Sequence, residues 1–117
     1  MTGLGDKRRK FTVMIAKLII YADSLGYGIA LGRGYASEAA NAADGGHLNS
    51  THLYGLGQDL HLYDIGTLKY IEDNRGHDKL HDYWDAMGGA KRIPNDANHY
   101  SLEHEGMCQV RLETLWT

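Results

Sequence analysis

The chain has 117 residues, room for one domain and not for two. Its 43% hydrophobic and 23% charged residues exclude a disordered tail or a coiled coil, and a net charge of -3 offers no basic field for nucleic acid. A single cysteine, Cys108, rules out an internal disulfide and a cysteine-rich zinc knuckle and fits a reducing compartment, whereas seven histidines are many for this length.

The hydrophobic period predicts a first helix over residues 6–25. Phe11, Met14, Ile15, Leu18, Ile19, Ala22 and Leu25 fall on one stripe, with Asp6 as the expected N-cap and Gly26 as a left-handed stop. Lys7, Arg8, Arg9 and Lys10 read as a solvated cluster rather than a membrane anchor. The longest apolar stretch, 13–22, is interrupted by Lys17 and followed by Asp23. It is too short to span a bilayer and does not form a secretory signal, so the expected product is soluble and made in the cytoplasm.

Residues 27–31 read as a strand, and 34–49 as a polar loop with a short helix at 37–43. Residues 58–63 alternate, with Asp59, His61 and Tyr63 on one face and Leu60 and Leu62 on the other. A second helix is expected at 77–87, its stripe formed by Leu80, Tyr83, Trp84 and Met87 and its end set by Gly88-Gly89. Closing strands are expected at 99–105 and 110–116. Helices and strands mix without a βαβ rhythm, which predicts an α+β domain over 1–117: a small antiparallel sheet with flanking helices.

Two segments carry chemistry: Ser50-Thr51-His52-Leu53-Tyr54-Gly55-Leu56-Gly57-Gln58-Asp59 and Asp96-Ala97-Asn98-His99-Tyr100-Ser101. Catalytic zinc takes three protein ligands and keeps a position for water. His52 at a Gly-rich loop, Asp59 on the next strand and His99 are candidate ligands. Asp96, three residues before His99, can exchange a proton with the water without ligating the metal.

These segments resemble the zinc D-Ala-D-Ala carboxypeptidases and their phage branch, the L-alanyl-D-glutamate endopeptidases. That family's Ser-x-His-x(6)-Asp motif matches Ser50 to Asp59, and its acid-x-x-His matches Asp96 to His99. Further anchors are Arg9-Lys10-Phe11-Thr12, Tyr83-Trp84 with Met87-Gly88-Gly89, and Asn98-His99-Tyr100-Ser101-Leu102-Glu103-His104, so the likeness runs from Arg8 to Gly106. The resemblance implies the fold shared by Hedgehog domains and DD-peptidases, zinc on His52, Asp59 and His99, and Asp96 as the catalytic acid and base. Asp rather than Glu at that position tilts the substrate toward the L-Ala–D-Glu bond of the peptidoglycan stem peptide.

It also implies a phage- or prophage-encoded monomer that acts on the cell wall after release, without nucleic acid or a stable membrane anchor. The alternatives are a D,D-carboxypeptidase acting on terminal D-Ala and a zinc-stabilised wall-binding module. Ala36, standing where the family carries an Arg, favours the module.

Ser50, Arg33 and Tyr35 are candidates for substrate contact. Strand parity makes His61 and Glu103 candidate partners behind the ligands and turns His104 away. His77 and His81, at i and i+4, read as a polar helix face opposite Trp84 rather than as a zincin pair, which would need His-Glu-x-x-His. Ser50 lacks the paired histidine of a nucleophile, and Cys108, between Met107 and Gln109, reads as a buried structural thiol rather than a nucleophile.

Overall fold

The computed structural model describes residues 3–35, 37, 39 and 51–103. In chain order these form helix α1 (Leu4–Ser24), strand β1 (Tyr27–Leu31), a 3-10 turn (Thr51–Tyr54), strand β2 (Gly57–Asp64), a second 3-10 turn (Asn74–His77), helix α2 (Asp78–Ala86) and strand β3 (His99–Ser101). The strands make an antiparallel sheet in the order β1-β2-β3. This is an α+β architecture. The short helix expected at 37–43, apart from residues 37 and 39, and the strand at 110–116 lie outside the described residues.

α1 begins earlier than expected, with Gly3 and not Asp6 at its N-cap. Asp6 sits in the first turn, where its charge suits the helix dipole, and pairs with Arg9 one turn on. The expected stripe packs inward: Phe11, Met14, Leu18 and Ala22 are buried, Ile15 and Ile19 half-buried, and Leu25 exposed. Gly26, at φ +87°, ends the helix in the left-handed region.

α2 crosses α1 through two aromatic contacts. Phe11 meets Trp84 edge-on at 5.7 Å, and Tyr21 stacks on Tyr83 at 4.2 Å. The Trp84 indole N–H donates to the Ser101 carbonyl at 2.9 Å, tying α2 to β3. A Cβ at Gly89 would lie 2.0 Å from the indole nitrogen, so only glycine lets the chain leave the helix there.

β2 alternates as expected. Leu60 and Leu62 join Leu18, Leu56, Leu80, Trp84 and Tyr100 in the core, while Asp59, His61 and Tyr63 occupy the opposite face.

Two expectations are corrected. β3 stops at Ser101, short of the 99–105 expected, because Leu102 turns its amide to the Leu56 carbonyl and packs into the core. His77 and His81 are 4% and 3% exposed and do not form a polar face opposite Trp84. At 3.6 residues per turn, positions 77, 81 and 84 fall on one side of the helix, so both histidines share the buried stripe with Leu80 and Trp84.

Candidate metal centre

Three ligand-type atoms converge at the end of the sheet. Asp59 on β2 and His99 on β3 are direct cross-strand partners, so their side chains rise from the same face. His52 comes from the 3-10 turn that precedes β2. That turn folds back because Gly55 adopts φ +70°, its amide donates to the His52 carbonyl, and the Leu56 amide donates to the Thr51 carbonyl. Arg8 of α1 clasps the same turn, its Nε donating to the Tyr54 carbonyl at 2.6 Å.

Asp59 Oδ1 lies 3.3 Å from His52 Nε2 and 3.0 Å from His99 Nδ1, and all three ligand atoms fall within 4.8 Å of one another. Ligands on a tetrahedral zinc sit about 3.3 Å apart when each bond is about 2.0–2.1 Å long. The donor set and its spacing therefore fit a divalent metal of the zinc type, and among the described residues no fourth His, Cys, Asp or Glu joins the group.

The hydrogen bonds behind the ligands fit the same use. His52 donates from Nδ1 to the Gly34 carbonyl at 2.9 Å, which leaves the Nε2 lone pair facing Asp59. His99 Nε2 lies 3.3 Å from Thr51 Oγ1; with Nε2–H donating and the hydroxyl oxygen accepting, Nδ1 is left as the ligand atom. Both rings are nearly buried, at 6% and 5% exposure. Burial alone would raise the Asp59 carboxyl, but its close contacts with the His52 and His99 imidazoles outweigh burial and hold that carboxyl below the usual range.

The backbone around Asp59 is shaped for the site. Gly32 donates to the Asp59 carbonyl and the Asp59 amide donates to the Arg33 carbonyl, so two residues answer one in a β-bulge. The Gln58 side chain donates to the Gly32 carbonyl, which the bulge leaves over. At Gly57 a Cβ would stand 2.5 Å from Thr51 Oγ1 and 3.0 Å from the His99 ring, so a larger residue would displace the hydroxyl that orients His99.

The other expected site residues are dispersed. Asp96 is half-buried in the turn leading to His99, whose amide donates to the Asp96 carbonyl at 3.1 Å; its carboxylate is not one of the three converging groups. Arg33 borders the site through its backbone. Tyr35 is exposed, with the Arg8 guanidinium 5.7 Å over its ring. His61 packs over Gly32 beside Asp59, with Tyr70 Oη 3.5 Å from its Nδ1.

Glu103 is exposed beside Gly89, Ala90 and Lys91 and is not one of the three converging groups; strand alternation no longer applies past Ser101. Ser50, Ala36 and His104 lie outside the described residues. Thr51 and the Gly34 carbonyl carry no motif signal of their own, and only the folded chain assigns them to His99 and His52.

The sequence matches no family model and no curated relative. The described residues contain no helix long and apolar enough to cross a membrane.

Proposed function

We propose that the chain is a zinc peptidase of the bacterial cell wall, cutting the stem peptide of peptidoglycan between L-Ala and D-Glu. One observation carries this reading: His52 Nε2, Asp59 Oδ1 and His99 Nδ1 converge with no fourth ligand among the described residues, each imidazole braced by an oxygen on its other nitrogen. The resemblance of the two segments to the phage endopeptidases supplies the substrate class. The reading includes the fold shared by Hedgehog domains and DD-peptidases, and a monomeric phage or prophage product that reaches the wall after release from the cytoplasm.

His52, Asp59 and His99 would hold the metal. When bound, zinc supplies Lewis-acid activation of water and of the scissile carbonyl. Asp96, one turn before His99, takes the proton of the attacking water and returns it to the leaving amine. Arg33, beside Asp59 on the bulge, is the nearest cation in sequence to the position where the family places its carbonyl-polarising Arg.

Mass spectrometry of peptidoglycan digested by the zinc-loaded protein tests the reading. New D-Glu amino termini are expected. Asp96→Ala should keep its zinc and lose turnover by about 100- to 10,000-fold. Release of terminal D-Ala alone would move the assignment to a carboxypeptidase. Intact wall with zinc still bound would favour a binding module, the reading that Ala36 supports.

A further inference from the structure

Behind the metal group lies a second buried histidine pair that the proposed chemistry does not use. His81 donates from Nε2 to the Ala97 carbonyl at 2.5 Å, and its ring stacks on Tyr100 at 4.3 Å and 16°. The Tyr100 hydroxyl is in turn hydrogen-bonded to His77 Nδ1 at 2.7 Å. Ala97 is buried midway along the turn that begins at Asp96 and ends at His99. That turn has three further ties: the Asp96 amide donates to the Ile93 carbonyl at 3.1 Å, the His99 amide donates to the Asp96 carbonyl, and the Leu60 amide of β2 donates to the Asn98 carbonyl at 2.8 Å. α2 therefore reaches it through one polar side chain.

His81 is a costly choice for that position. Its Nδ1 is buried and has no hydrogen-bond partner among the described residues. A buried polar atom left unpaired is destabilising, and a leucine like the adjacent Leu80 would avoid the cost. Burial holds the ring below the usual histidine range, which keeps it neutral with its proton on Nε2. Among the described residues, the one hydrogen bond that the imidazole makes is to the turn carrying the acid and the third ligand.

We propose that His81 is a positioning residue: by fixing the Ala97 carbonyl it sets where the Asp96 carboxyl stands relative to His99. The inference rests on the peptidase reading for the role of Asp96, but the turn it concerns can be observed without activity.

The test compares full-length, zinc-loaded wild type with His81→Leu, which removes the donor, and His81→Gln, whose longer side chain returns an N–H close to the place of Nε2. Three quantities are read: hydrogen exchange at the His99 amide, zinc affinity, and kcat and KM on peptidoglycan. His81→Leu should speed exchange at the His99 amide by about 10-fold or more. It should lower kcat by roughly 10- to 100-fold with KM and zinc affinity unchanged, the signature of a displaced acid. His81→Gln should restore both exchange and kcat.

Wild-type exchange and kcat in His81→Leu would overturn the proposal, as would a folded His81→Gln that fails as badly as the leucine variant. If His81→Leu does not fold, His81→Asn takes its place: its side chain is too short to reach Ala97, and equal behaviour of the Asn and Gln variants would overturn the idea. If wild type does not cut peptidoglycan, the functional reading fails, and the exchange contrast alone decides whether His81 holds the turn.

Discussion

His52 and His99 are buried about as deeply as His77 and His81, yet the two pairs do different things. The first pair faces a carboxylate, and each ring has an oxygen on its far nitrogen. The second pair faces a phenol ring and a backbone carbonyl, and the described residues place no carboxylate between the two rings. Burial and histidine content are therefore poor guides to a ligand. What separates the pairs is whether two nitrogen lone pairs and an anion point to one place.

The electrostatics follow the same division. Asp59 stays charged in spite of its burial, whereas burial pushes His77 down to about 4 and His81 in the same direction.

The contrast breaks most sharply at the metal. His99→Ala should weaken zinc binding beyond the roughly 100-fold ceiling expected for changes behind a ligand, while His77→Gln should leave it unchanged; competition with a chelating dye measures both. Equal losses would mean that the two pairs had been wrongly separated.

Acid denaturation is the next test, run on metal-free protein with chelator present. A histidine whose folded pKa lies below its unfolded value stabilises fully above the unfolded value and loses that contribution as pH falls through the folded one. For His77 the window runs from the ordinary histidine value of 6.5 down to about 4. Folding stability should fall by about 3 kcal/mol across it. Urea titrations at successive pH values should show that slope reduced in His77→Gln, with the His81 part remaining.

The smallest effect sharpens the first pair. Thr51→Val, which strands His99 Nε2, should weaken zinc about 10-fold, and Thr51→Ser should not. An unchanged affinity in Thr51→Val would remove Thr51 from the site.

Local periodicity made much of the fold legible. The α1 stripe, the alternation of β2 and the extent of β1 follow from spacings of three to four or of two, which a reader can count. The start of α1 was less legible, because an Asp suited to capping also serves in the first turn. The burial of His77 and His81 was present in the numbers 77, 81 and 84, but polarity outweighed period in assigning them to solvent.

Of the site, the residue types were readable and their convergence was not. Asp59 and His99 are forty positions apart, and the register that sets them side by side is a property of the assembled sheet. The resemblance of the two segments pointed to the three ligands. Nothing local marked Thr51, Gly34 or the bulge at Gly32 and Arg33.

The pairing of Asp59 with His99 has one more consequence. Side chains alternate across a strand, so sliding β2 by a single residue against its neighbours would turn Asp59 toward the core and leave His99 facing a different partner. A metal ion shared by those two side chains would recognise only one alignment of the sheet. Binding it would proofread the assembly of the strands, rewarding the chain that has closed correctly and ignoring every chain that has slipped.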